Sequence, residues 1–162
     1  MRRLLGGLLL LVLASGSGWA ADARETEIRT VIQKFQDAVA ERNIARVERV
    51  VASNIVVLEN GERNDGWEDF RDKHLVPEFA QPMPPSTWEF VRIVPGADVA
   101  WAYTKTSLSY TQKAKKMEAV LWSAFVLEKR GKDWKIALLD WSLKAPKAAA
   151  TPAKKSTRPR PR

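Results

Sequence analysis

Residues Val99 to Leu143 read VAWAYTKTSLSYTQKAKKMEAVLWSAFVLEKRGKDWKIALLDWSL, and the periodicity of this stretch decides the fold. It divides into three extended runs, Val99 to Thr111, Met117 to Lys129 and Trp134 to Leu143, joined by short polar turns. Two of the runs are well beyond the usual strand length of about six residues, so they are expected to twist and bend as they pair into a curved antiparallel sheet. A bent sheet has a hollow side, where the upstream helices and any ligand are expected. Both alternating faces are apolar: Val99, Trp101 and Tyr103 oppose Ala100 and Ala102, Leu121, Phe125 and Leu127 oppose Val120, Trp122 and Val126, and Ile136 and Leu138 oppose Leu139 and Trp141. A sheet wetted on one face alternates with polar residues instead. Helices can cover only one side, so a second copy of the chain is expected on the other, giving a homodimer through the sheet. An unusually apolar outer face or a closed barrel are the alternatives.

Upstream, Ile28, Val31, Ile32, Phe35, Ala38 and Val39 recur at helical spacing between Asp22 and Arg42, with Asp22 and Glu25 placed as a capping box. Asn43 is the expected stop, and Ile44, Val47, Val50 and Val51 suggest a shorter second helix. Ile55 to Leu58 reads as a strand turned back at Asn60-Gly61, the strongest short hairpin signal. Asp65 is placed to cap a third helix carrying Trp67, Phe70, Arg71, His74 and Leu75. Pro77 interrupts it by removing a backbone donor, so a break at Val76 is expected. Ala80 to Ser86, with three prolines, reads as a stiff loop, and Trp88 to Val94 as a strand turning at Pro95-Gly96.

The two ends belong to other categories. Arg2 and Arg3 before the apolar run Leu4 to Ala14, followed by Gly18-Trp19-Ala20, have the form of a cleaved secretory signal over residues 1–20, implying a periplasmic or secreted protein. The formal charge of +8 is concentrated outside the domain. From Ala21 to Leu143, 18 basic side chains face 19 acidic ones. A near-neutral domain speaks against specific nucleic-acid recognition. Residues 144–162, rich in Ala, Pro, Lys and Arg, are too poor in apolar groups to fold and read as a disordered tail able to meet an anionic surface or polymer. The chain has no cysteine, so its fold rests on its core alone.

His74 is the only histidine. If the helix continues to Glu78, the two residues share a face and can act as a base oriented by a carboxylate, or as an ion pair fixing the helix to the sheet. One histidine without cysteine makes a zinc site a poor fit, and neither a metal nor a cofactor is expected. Asp140 interrupts the apolar run Ile136 to Trp141. Desolvation there would favour its neutral form and make it a proton acceptor near neutrality, whereas pairing with Arg63, Arg92 or a lysine would make it structural. Of the six tryptophans beyond the signal, Trp88, Trp122 and Trp134 are expected to be structural, with Trp67 and Trp101 lining a pocket.

The order of helices, hairpin, helix and long strands, together with Val57-Leu58-Glu59-Asn60-Gly61, His74-Leu75-Val76-Pro77-Glu78-Phe79 and Asp140-Trp141-Ser142, resembles the nuclear-transport-factor-2-like (NTF2-like) superfamily. The closer likeness is to its secreted SnoaL-like or DUF4440-like branch, where histidine often stands at the position of Asp140. The resemblance implies a cone-shaped α+β domain over residues 21–143, helices packed on a strongly curved antiparallel sheet, in a superfamily holding both enzymes and non-catalytic members. By analogy with its ketosteroid isomerases, Asp140 would be the base and Tyr103 the group stabilising an enolate. The expected ligand contacts are Trp67, Phe70, His74, Glu78, Trp101, Tyr103 and Asp140, around a small hydrophobic or amphipathic molecule between helices and sheet. Binding without turnover is the leading expectation. The alternatives are an isomerase- or cyclase-like proton transfer by Asp140 or by His74 with Glu78, and an interaction module acting through the tail.

Overall fold

The computed structural model describes residues 17–148, with side chains for residues 21–144 apart from residue 112. Helices α1 (Ser17–Ala40) and α2 (Ile44–Glu48) precede strands β1 (Val51–Glu59) and β2 (Glu62–Asp65). A helical segment follows in three parts, α3 (Trp67–Phe70), a π-helical turn (Arg71–Leu75) and α4 (Val76–Phe79). Strands β3 (Ser86–Val94), β4 (Val99–Gln112), β5 (Lys115–Arg130) and β6 (Asp133–Ala148) complete one six-stranded sheet in the order β2-β1-β6-β5-β4-β3. The sheet is curved and unclosed, with the helices on one face, as expected for an NTF2-like α+β fold. Of the expected secretory segment, residues 1–16 lie outside the described residues, as do residues 149–162 of the expected tail.

The long strands pair antiparallel with little interruption, β4 to β5 from Val99↔Glu128 to Gln112↔Lys115. The β1–β6 pair is instead parallel, Val57 opposite Leu139 and Glu59 opposite Trp141, so the sheet is mixed where a wholly antiparallel one was expected. Strand β6 also runs past Leu143, with Lys147 opposite Glu118 and Ala148 opposite Met117. Backbone pairing along the long β5 needs no apolar side chains, so it recruits residues assigned to the tail. Pro146 falls in the register shift between Lys144↔Val120 and Lys147↔Glu118, where a missing N–H is tolerated.

On the helix-covered face, Ile28, Ile32 and Phe35 of α1 are fully buried with Phe125, Leu127, Ile136 and Leu139 of the sheet. Phe35 meets Phe125 edge-on with ring centroids 5.9 Å apart. The indole N–H of Trp134 donates to Glu27 Oε2 at 2.9 Å, fixing α1 to β6.

Three local expectations are corrected. Asp22 caps nothing, because α1 already begins at Ser17. Asp65 lies in β2 and Gly66 occupies the cap of α3; Asp65 instead donates its backbone N–H to Asp69 Oδ2 at 3.0 Å. The helix does not break at Val76. Pro77 cannot donate to the carbonyl four residues back, and the preceding turn widens so that the Val76 N–H reaches Arg71 O, keeping the segment continuous. Asn43 stops α1 as expected and caps α2, its side chain accepting from the Arg46 N–H at 3.1 Å. The Asn60-Gly61 turn has φ of 51° and 90° and closes β1 on β2.

Gly96 shapes the β3–β4 turn by close approach: a Cβ there would lie 2.0 Å from the Val99 carbonyl oxygen. Gly96→Ala is therefore expected to destabilise the domain by about 1–3 kcal/mol through forced backbone movement. Urea unfolding checks this, and an unchanged midpoint would show the turn to be freely deformable.

Candidate functional site

Strand alternation divides the expected site residues between two faces. Glu59, Trp141, Ser123, Thr104 and Phe90 are successive partners across β1, β6, β5, β4 and β3, forming one row on the helix-covered side. Against its β1 end the π-helical turn places His74, whose ring lies 5.0 Å from Trp141 and 5.4 Å from Phe70. His74 Nε2 is 3.3 Å from both Glu59 Oε2 and Glu78 Oε2. The two carboxylates thus flank the ring at Nε2. The Thr104 and Ser123 hydroxyls, buried in the same row, have no hydrogen-bond partner among the described residues.

Burial disfavours the His74 imidazolium, but hydrogen bonding to Glu78 together with the attraction of Glu78 and Glu59 outweighs it and raises its pKa above the ordinary 6.5. Burial raises the Glu59 carboxyl above 4.5, the positive His74 opposes this, and Glu78 adds to the rise. His74 and Glu59 titrate together. Pairing of His74 with Glu78 was legible from their spacing, whereas Glu59 and Trp141 were missed because their approach depends on the β1–β6 register. Among the described residues no group of three or more His, Asp or Glu side chains is arranged to hold a metal ion.

Trp101, Tyr103 and Asp140 lie on the opposite, open face, since their neighbours Ala102 and Trp141 point inward. With Trp122, Ala124, Val126 and Ser142 they line a cavity of about 340 Å³. Its floor is Ala124, a small residue paired with Tyr103 on one side and Asp140 on the other. Trp101 and Tyr103 stack with ring planes 5° apart, and Tyr103 lies 6.2 Å from Trp122. Trp101 and Trp122 remain 41% and 40% exposed. Asp140 accepts a long hydrogen bond from Ser142 Oγ at 3.5 Å, and among the described residues it has no ion pair with Arg63, Arg92 or a lysine.

The expected single pocket between helices and sheet is therefore corrected to two separate places. Phe70 and Trp67 are buried in the core with His74 alongside, while Trp101, Tyr103 and Asp140 share the cavity on the other face. Trp67, expected in a pocket, is core because its helix packs on β1, and Trp122, expected to be structural, faces the cavity. The isomerase-like pair Asp140 and Tyr103 is separated by the sheet from the pair His74 and Glu78.

The model of the SnoaL-like domain matches residues 28–146, which include both places. The chain belongs to the SnoaL-like domain family. No curated protein matches it. Among solved structures, a ketosteroid isomerase-like protein from Erwinia carotovora atroseptica is similar at 18% identity and a TM-score of 0.68, covering 76% of this chain and 98% of its own. An NTF2-like superfamily protein from Salmonella enterica serovar Typhimurium is 10% identical, with a TM-score of 0.61 and coverages of 85% and 99%. A type 2 hexachlorocyclohexane dehydrochlorinase, LinA, is 16% identical, with a TM-score of 0.59 and coverages of 80% and 94%. At these identities the SnoaL-like chain shares their fold.

Both shifts mean that the folded SnoaL-like domain binds protons more tightly than the unfolded chain. The His74 contribution to stability is thus complete below pH 6.5 and is lost as pH rises through the folded value; that of Glu59 is complete below 4.5 and fades above it. NMR titration of the single imidazole is expected to give a midpoint above 6.5 that falls in Glu78→Gln. An unmoved midpoint in the variant would remove Glu78 as the cause.

Proposed function

We propose that this SnoaL-like domain, of the secreted DUF4440-like type, binds a small hydrophobic or amphipathic molecule in the open-face cavity and does not turn it over. The observation that carries this is the cavity's composition. Three aromatic side chains and a small-residue floor surround one carboxylate within about 340 Å³, the lower part of the usual range of roughly 300–1,000 Å³ for small-ligand sites. Apolar lining supplies affinity and the few polar groups orient the ligand. The signal-like sequence Arg2 to Ala20 supports a periplasmic or secreted place of action.

Two other readings each rest on a specific observation. Exposed Val99, Trp101 and Trp122 on the same face favour a homodimer seated there. The half-buried His74 between two carboxylates favours proton transfer on the helix-covered face, in which case His74→Ala would abolish turnover while leaving cavity binding intact.

The neutral fluorophore N-phenyl-1-naphthylamine is the probe. Saturable binding to the purified protein is expected, and Ala124→Leu, which fills the floor, is expected to weaken it at least about tenfold with the circular dichroism spectrum unchanged. Equal affinity in the variant refutes the cavity as the site. Native mass spectrometry on the same samples reads the subunit count, and a dimer that takes up no probe assigns the face to a second copy.

A further inference from the structure

The cavity also specifies a ligand chemistry, and this inference rests on the cavity being the binding site. Tyr103 and Asp140 are both partners of Ala124, so their backbones stand two strand spacings, about 10 Å, apart across the floor. Trp122 and Trp101 follow and precede Tyr103's row on the same face, so aromatic rings bound one side and a carboxylate the other. Among the described residues Asp140 is the only charged side chain lining the cavity. Ring faces carry negative electrostatic potential, and beside a carboxylate they favour a positively charged group, above all one too large or too alkylated to be held by water. Arg92, entering from β3, already holds its guanidinium 5.5 Å from the Trp101 ring centre, which shows that the aromatic wall accepts a cation.

We propose that the open-face cavity is a site for an organic ammonium ion carrying a small apolar body, with the charged nitrogen between Asp140 and the Tyr103 and Trp122 rings. An anionic or purely hydrocarbon ligand would leave Asp140 desolvated without a partner, which is costly. Arg92 sets the outer limit of the site, since its guanidinium repels a second cation at the Trp101 end, whereas Lys105, paired with Trp122, is balanced by Glu89 at 3.3 Å; the favourable position is the floor over Ala124.

Phenyltrimethylammonium and tert-butylbenzene form the test, being nearly identical in shape and differing in charge. Quenching of tryptophan fluorescence in the full chain reads both. The cation is expected to bind at least about tenfold more tightly than its neutral isostere. Asp140→Asn is expected to remove most of that preference, weakening the cation and easing entry of tert-butylbenzene by lifting the cost of desolvating a carboxylate, and added salt to weaken only the cation. Equal affinity for the two probes overturns the ammonium assignment and leaves the cavity as a neutral ligand site. A preference that survives Asp140→Asn also overturns it, because the charge is then recognised elsewhere. Binding of neither probe removes the cavity reading itself, and a dimer that excludes both gives the face to a second copy.

Discussion

Adjacent residues of an extended strand leave it on opposite sides, and in β6 that rule parts Asp140 from Trp141. Trp141 joins Phe35, Phe70 and His74 beneath the helices, while Asp140 faces outward beside the aromatic cavity. The two polar centres follow from this constraint. One is a half-buried imidazole set between two carboxylates at the edge of the core, and the other is a carboxylate set into an apolar, partly exposed surface. No small movement can merge them, because a one-residue slip of β6 would exchange the whole inner set of side chains for the outer one.

The long strands and their two-sided apolar character were legible because period two is written directly in Val99 to Leu143. Hairpin chemistry at Asn60-Gly61 and the α1 stripe from Ile28 to Val39 were legible for the same local reason. What escaped was non-local. Glu59 reaches His74 only because β1 lies parallel to β6, and sequence periodicity carries no information about which strands become neighbours. The hollow between helices and sheet looked like the ligand site from topology, yet bulky Phe35, Phe70 and Phe125 fill the centre of that side and are almost wholly buried. Ala124, the residue that creates the outer cavity, is inconspicuous in sequence because a small side chain signals nothing until its neighbours are known to be large.

The helical segment before the loop shows how a local defect is turned to use. Pro77 removes one backbone donor, and widening the preceding turn to a π-helical spacing restores continuity while setting the orientation of His74. Such turns recur at functional sites because the additional residue redirects a side chain without ending the helix. Here the redirected side chain is the chain's single imidazole, presented to Trp141 and to two carboxylates from different elements.

Because β1 finds its partner in β6, the sheet joins the beginning of the domain to its end. The β1–β6 seam is a contact between segments separated by most of the domain, so no fragment ending before β6 can assemble it. A ribosome or a translocation channel must release the last strand before β1 can be seated, and until then the Val57 and Leu139 sides of the core stay apart. Topologies dominated by such distant pairings fold slowly.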